Sequence, residues 1–179
     1  MVGLPVDLLV ELSQLVQSQM NRTLDVVLSY SNMTLQNSTL LAAVPKFQAA
    51  GVRKIITASP LSMGLLRSAG PQPWHPASAD LKAAVAKASK WVEGQGHNLA
   101  ETSMRYVVAK WDGSIIGGWS SVKELEAGVK MWHRVKNGIG RAEDERLWVG
   151  AREVMGDQVD TMWSSPQKGW TFNDGTKVE

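Results

Sequence analysis

Residues 54–66, KIITASPLSMGLL, decide the fold that we expect. The stretch begins with an apolar, β-branched run and breaks at Ser59-Pro60 into small residues. A short apolar run that ends in a turn is typical of a strand covered on both faces, as in a parallel sheet. Residues 23–30 (TLDVVLSY) and 113–118 (GSIIGG) have the same character. The sequence therefore predicts three short, buried strands.

Apolar residues at helical spacing predict helices between and around these strands. The expected helices span residues 7–19, 38–51, 80–93, 98–111, 121 onwards and 143–154. Strands that alternate with helices indicate an α/β fold with parallel strands and right-handed crossovers. We expect one domain over residues 1–179, with an irregular tail at 164–179. A typical sheet has five or six strands, so three are few for this length.

Two helical segments carry specific expectations about their faces. Ser121 and Glu124 form a capping-box pattern at the start of a helix. The apolar positions of that helix are expected to face inward, namely Val122, Leu125, Val129 and Trp132. The charged run RAEDER at 141–146 is expected to be a solvated helix start.

Composition excludes several classes of function. The chain has 179 residues, no cysteine and a formal net charge of +2. Without cysteine, disulfides and thiol catalysis are excluded, and the small net charge gives no reason to expect a nucleic-acid partner. The three histidines have no metal-ligand spacing, so no metal site is predicted. The first 14 residues contain an early proline and acidic residues, which argues against a signal peptide or membrane span and for a cytoplasmic protein.

Catalytic residues cannot be assigned from these patterns alone. His75 lies in the proline-rich segment PWHPAS, next to the predicted carboxyl end of a strand. The acid–base candidates are His75, Tyr30 and Asp25, and Glu124 is a fourth. The alternative for each is an ordinary structural role, and Tyr106 in particular is expected to pack in the core.

Two small-residue turns follow predicted strands, at 59–64 and at 117–121. Both offer backbone N–H groups, and the second leads into a helix N-terminus that favours anions. Ligands of parallel α/β folds bind outside the carboxyl ends of the strands. The turns are therefore either a phosphate-binding site or ordinary loops.

Four segments together resemble the aldo-keto reductases in order and spacing. They are LDVVLSYSNMTLQN, ITASPLSMGLL, GPQPWHPAS and IGGWSSVKELEAGV. The nearest branch is that of NAD-dependent dehydrogenases acting on D-arabinose or L-galactose, and the likeness to its C-terminal half runs from Gly3 to about Trp163. The resemblance implies a partial (β/α) TIM barrel, containing strands five or six to eight. It also implies a small-molecule ligand, with NAD or NADP bound without a Rossmann motif.

The resemblance assigns cofactor-binding positions residue by residue. The pyrophosphate is expected at Ser59, Leu61 and Met63. The adenosine end is expected at a second set, which comprises Gly118, Ser120, Ser121 and Glu124. The carboxylate of Glu124 suits a free 2′-hydroxyl better than a 2′-phosphate, which favours NAD over NADP. Gly128 departs from the family, which usually has an asparagine there that contacts adenine.

The resemblance also implies that the catalytic Asp, Tyr, Lys and His come from strands with no counterpart in this sequence. Nicotinamide contacts would be either lost or reduced to Val2 and Gly3. A partial barrel has open strand edges, so we expect a homodimer or rearranged helices to cover them. Three functions stay open: a reductase-like protein that retains the cofactor-phosphate turns, a non-redox enzyme (cyclase, isomerase or dehydratase) on a truncated scaffold, and a pseudoenzyme or fragment.

Overall fold

The computed structural model describes residues 4–163 and contains one parallel sheet in the strand order β1-β2-β3. The strands are β1 (Val26–Tyr30), β2 (Lys54–Ala58) and β3 (Ser114–Ile116). The helices are α1 (Val6–Met20), α2 (Thr39–Ala49), α3 (Ala79–Gly94), α4 (Leu99–Lys110), α5 (Val122–Lys136) and α6 (Arg141–Met155), with short 3-10 helices at Ser62–Gly64 and Gly156–Gln158. The predicted α/β class with parallel strands is confirmed, whereas closure into a barrel stays a prediction. The predicted tail at 164–179 lies outside the described residues.

The two faces of the sheet have different surroundings. The register places Val27 beside Ile55 and Thr57 beside Ile115, so these residues share one face. Its apolar members pack against the helical core. The opposite face carries Leu28 and Ile56, which are half-buried, and Ile116, which is 48% exposed. The expectation of strands covered on both faces is therefore correct for one face only.

The core lies between the sheet and the helices. Its most deeply buried apolar side chains come from several elements, among them Leu40, Phe47, Leu65, Leu66, Leu81, Val92, Leu99, Val107 and Leu147. Removing apolar surface from water contributes about 25 cal/mol per Å². This burial holds the three short strands against the helices, since three-residue pairing such as that of β3 is weak by itself.

Helix starts follow the expected capping chemistry with one correction. The Asn98 side chain accepts a hydrogen bond from the Glu101 amide at 3.1 Å, as a capping residue should. At α2, which was expected to start at residue 38, the Ser38 side chain makes no such bond. The Oδ1 atom of Asn37 instead accepts from the Thr39 amide at 3.0 Å and from the Thr39 hydroxyl at 2.7 Å.

The expectation of a solvated RAEDER segment was wrong for Asp144, which is only 2% exposed. Its carboxylate accepts from Arg105 Nε at 2.7 Å and lies 3.2 Å from Arg134 Nη1. These arginines belong to α4 and α5, so the charge cluster ties three helices together. Paired in this way, a buried carboxylate avoids the large cost of an isolated buried charge.

None of the helices in the described part of the chain is long and apolar enough to cross a membrane.

Candidate functional site

The turns after β2 and β3 are neighbours at the carboxyl edge of the sheet. The Ser59 amide donates to the Ile116 carbonyl at 3.2 Å, and the Pro60 ring lies beside Gly117. We call residues 59–64 the β2 turn and residues 117–121 the β3 turn. The sequence predicted that both turns would lie at the carboxyl ends of strands, and the structure places them side by side at that edge of the sheet.

The β2 turn is closed by its own hydrogen bonds. The amides of Ser62 and Gly64 donate to the carbonyls of Ser59 and Leu61 at 2.9 and 3.0 Å, and the Met63 amide donates to Ser59 Oγ at 2.8 Å. Most of its N–H groups therefore point into the turn, contrary to the expectation of a cradle of free amides. Two donors have no acceptor among the described residues, the Leu61 N–H and the Ser59 hydroxyl proton.

The backbone of the β2 turn is strained. Ser59, Ser62 and Met63 have φ values of 61°, 51° and 57°. Side chains disfavour this left-handed region, at a cost of the order of 1–3 kcal/mol for each such residue. A strained turn persists only when its surroundings fix it, and here those surroundings are polar and buried.

His75 is the main clamp on the β2 turn. It is 2% exposed, and the Ala77 amide donates to its Nδ1 at 3.1 Å, which leaves the proton on Nε2. Nε2 then donates to the Ser62 carbonyl at 2.9 Å. Burial lowers the pKa of His75 below 6.5, against the opposing effect of the bond to Ser62 and with a smaller contribution from Lys82. With both ring nitrogens occupied, the geometry gives this acid–base candidate a structural role.

The segment after β1 supports the same corner. Residues 31–37 are all buried, and the Thr34 hydroxyl accepts a hydrogen bond from Ser62 Oγ at 3.1 Å. Gln36 reaches the opposite end of the described chain, where its Nε2 donates to the Gln158 carbonyl at 2.8 Å. The hydroxyls of Ser31 and Thr57 are buried without a hydrogen-bond partner in the described residues. Sequence patterning gave no sign of this polar core, since such segments normally lie on the surface.

The β3 turn is open, and every one of its residues is exposed. The capping box forms here in a shifted way. The Glu124 amide donates to Ser121 Oγ at 3.2 Å, but the Glu124 carboxylate accepts from the amide and hydroxyl of Ser120, at 2.8 and 2.7 Å. The pKa of Glu124 is lowered chiefly by the Ser120 amide, then by its hydroxyl, and to a smaller extent by the positive charge of Arg67. The carboxylate is therefore ionised at neutral pH.

Free backbone donors remain around the β3 turn. The N–H groups of Gly118 and Trp119 donate to no described residue, and the first amides of α5, at Val122 and Lys123, have no carbonyl within the helix to receive them. These donors and the helix dipole suit the phosphate or ribose oxygens of a nucleotide. The residues present thus fit an adenosine diphosphate group better at the β3 turn than at the β2 turn.

Only one of the two remaining acid–base candidates lies at the same edge of the sheet. Tyr30 is half-buried at the carboxyl end of β1, where it pairs with Ala58 of β2. Asp25 immediately precedes β1, so it lies at the opposite edge of the sheet, where its carboxylate pairs with Arg53 at 3.0 Å. Asp25 and the two turns are separated by the length of a strand, roughly 17 Å.

A cleft of 660 Å³ opens between α4, β3 and α5. Its walls are apolar and include Met104, Ile116, Leu125, Val129 and Trp132, and no titratable side chain lines it. The expectation of an inward apolar face on α5 was wrong. Its four members are 73%, 47%, 49% and 45% exposed, in the order Val122, Leu125, Val129 and Trp132.

At the mouth of this cleft the Trp119 ring lies directly over Gly128. A Cβ atom added at position 128 would overlap the ring. The indole ring of Trp119 therefore occupies the space that a side chain at position 128 would need.

No protein-family model matches this chain. It is similar to two sugar dehydrogenases of the aldo-keto reductase family. L-galactose dehydrogenase of Arabidopsis thaliana is 40% identical over 108 residues, which cover 60% of this chain and 34% of that protein. D-arabinose 1-dehydrogenase of Saccharomyces cerevisiae is 29% identical over 171 residues, which cover 91% of this chain and 51% of that protein.

These similarities confirm the resemblance expected from the sequence motifs, that of a chain like the C-terminal half of an aldo-keto reductase. The aligned residues span about a third and about half of the length of the two relatives.

Proposed function

We propose that this chain is the dinucleotide-binding portion of a reductase-like protein and that it binds NAD(P) across the β2 and β3 turns. One observation carries the proposal. The two turns that the resemblance assigns to a single cofactor are adjacent, joined by the hydrogen bond from the Ser59 amide to the Ile116 carbonyl at 3.2 Å. Around the β3 turn, the N–H groups of Gly118 and Trp119 also stay free of any acceptor among the described residues.

The proposed contacts divide between the turns. The β3 turn and the first turn of α5 offer amides to the adenosine diphosphate group. On the β2 turn, the Ser59 hydroxyl and the Leu61 amide are the donors left for a phosphate oxygen. Arg67, whose charge is felt at Glu124, adds a cation near both turns. A bound nicotinamide dinucleotide would supply hydride-transfer chemistry, while these residues would hold and orient it.

The proposed site favours NAD over NADP. The ionised carboxylate of Glu124 can accept a hydrogen bond from a ribose 2′-hydroxyl. A 2′-phosphate at the same place would meet a like charge, which disfavours binding. The hydrogen bonds from Ser120 hold the carboxylate in this position.

Proton transfer to a sugar carbonyl needs a group within hydrogen-bond reach of it. His75 is fully engaged, Asp25 lies at the opposite edge, and the Tyr30 side chain is hydrogen-bonded to no second acid or base among the described residues. We therefore propose that residues 4–163 bind the cofactor. If this protein catalyses a reaction, the acid–base groups come from other residues or from another polypeptide. Binding without turnover by this chain would make it a pseudoenzyme. The alternative of a non-redox enzyme gains no support, because its Trp-lined cleft contains no acid or base.

A titration of tryptophan fluorescence with NADH and NADPH tests the proposal. We expect saturable quenching, since Trp119 adjoins the site, and tighter binding of NADH. Ser59→Ala should weaken binding several-fold because it removes a donor. Ser68→Ala, an exposed serine in the following loop, is the matched control and should leave binding unchanged. The absence of saturable quenching by either nucleotide at millimolar concentration would contradict the proposal.

A further inference from the structure

The apolar stripe of α5 is exposed, and the candidate site does not explain it. We call Val122, Leu125, Val129 and Trp132 the α5 stripe. We propose that this stripe is the interface of a symmetric dimer, in which α5 packs antiparallel to α5 of a second copy. The inference does not depend on nucleotide binding.

The spacing of the α5 stripe suits such a pair. Its members are three, four and three residues apart, the pattern of a helix seam. This spacing is symmetric about Ala127. When two copies run antiparallel about that point, Leu125 lies opposite Val129, and the small Val122 lies opposite the large Trp132. The stripe is thus complementary to itself, as a two-fold interface requires.

The surroundings of the stripe extend the apolar area. Ile116 and Trp119 are 48% and 43% exposed and border the same cleft. A specific interface buries about 800 Å² on each partner, whereas the largest apolar patch on a typical monomer is about 300–600 Å². The stripe with its neighbours supplies the apolar centre, and the polar residues around it would form the rim. Covering it would also shield the free edge of β3, which pairs only with β2 in the described structure.

Charge supports the second copy as occupant. The cleft lining has no charged side chain, so closure buries no unpaired charge. Lys136 continues the seam four residues after Trp132. In the antiparallel register it lies towards the start of α5 of the second copy, where the carboxylate of Glu124 is ionised. The interface would therefore join a basic helix end to an acidic helix start on both sides.

Sedimentation velocity over a range of protein concentration tests the dimer. We expect the wild-type chain to sediment as a dimer and Leu125→Glu as a folded monomer. Val149→Glu is the matched control, because Val149 is an apolar side chain on α6 with 57% exposure, and it should stay dimeric. Circular dichroism checks that each variant is folded. A folded wild-type monomer at every concentration, or a dimeric Leu125→Glu variant, overturns the proposal.

Cross-linking tests the antiparallel register, and the absence of native cysteine makes it simple. Leu125→Cys mixed with Val129→Cys should give a covalent heterodimer on oxidation, faster than either variant forms a dimer with itself. Rapid self-linkage of Leu125→Cys would indicate parallel helices and contradict the register. If the wild-type chain is instead monomeric and binds the N-terminal half of one of its relatives, that half is the occupant and the second copy is excluded.

Discussion

The β2 and β3 turns lie side by side, yet they differ in almost every physical respect. The β2 turn is closed, strained and clamped by the buried His75. The β3 turn is exposed, and its donors face solvent. Composition alone does not explain the difference, since each turn contains two serines and at least one glycine. The difference comes from residues distant in the sequence, such as Thr34 and His75, which reach one turn and not the other.

This contrast suggests that the two turns would have different roles in holding a ligand. A rigid corner gives a ligand a fixed reference position, and an open helix start offers donors without first breaking internal bonds. The following predictions test whether one corner is rigid and the other open, starting with the largest expected effect.

Replacing His75 should show the rigidity of the β2 turn. His75→Ala removes two buried hydrogen bonds and leaves a cavity, so we expect the free energy of unfolding to fall by about 2–4 kcal/mol. His133→Ala, at an exposed histidine of α5, is the control and should change it by less than about 0.5 kcal/mol. Urea denaturation measures both. Equal, small losses would mean that His75 does not clamp the turn.

The same residue should make stability depend on pH. The pKa of His75 is lowered in the folded protein, so the unfolded chain binds the proton more readily. The stabilising contribution of neutral His75 should therefore be fully present above pH 6.5, the ordinary pKa of histidine. The free energy of unfolding should decrease as the pH falls below that value. Urea midpoints between pH 7.5 and 5 test this. Because His75→Gln has no titrating group at this position, its midpoints should decline less. Identical slopes for the two proteins would show that another group is responsible.

The Gly128→Ala variant tests whether the surroundings of the open β3 turn can adjust. Alanine is favoured over glycine inside a helix by about 1 kcal/mol, but its methyl group must displace the Trp119 ring. Since that ring is 43% exposed and can move, we expect Gly128→Ala to be stabilising by up to about 1 kcal/mol. Trp119 emission should shift to the red as the ring enters solvent. A marked loss of stability would indicate that the Trp119 contact is rigid.

Glu124 tests electrostatics at the β3 turn. Glu124→Gln retains a group that can accept from Ser120 but removes the negative charge. We expect the ratio of NADPH to NADH affinity to rise several-fold, because the like charge that faces a 2′-phosphate is removed, with little change in stability. Glu126→Gln, at an exposed position of α5 two residues after Glu124, is the matched control. An unchanged ratio would show that Glu124 does not lie near the ribose.

The sequence predicted the elements of the fold well. The boundaries of β2 and the start of α5 agree with the expected ones to within a residue, because a β-branched run and a capping serine are local signals. What the sequence could not reveal depends on distant partners. Arg105 and Asp144 are 39 positions apart, and nothing in either segment indicates that they meet in the core.

The candidate site was predicted in position but not in detail. The motifs located both turns, and parallel topology placed them at one edge. The hydrogen bonds of the turns could not be predicted from the sequence, because whether an amide faces inward depends on side-chain atoms such as Ser59 Oγ. The α5 stripe shows the same limit. Helical periodicity shows which face is apolar, but not whether anything in the chain covers it.

The most direct test of the central claim, that a nucleotide binds across both turns, is a ¹H–¹⁵N correlation spectrum of the labelled chain titrated with NADH. We predict saturable shifts at the amides of Gly118, Trp119 and Val122 and at Leu61 on the adjoining turn, with no change around Asp25 at the opposite edge. Shifts that are absent, or that cluster away from both turns, would contradict the account.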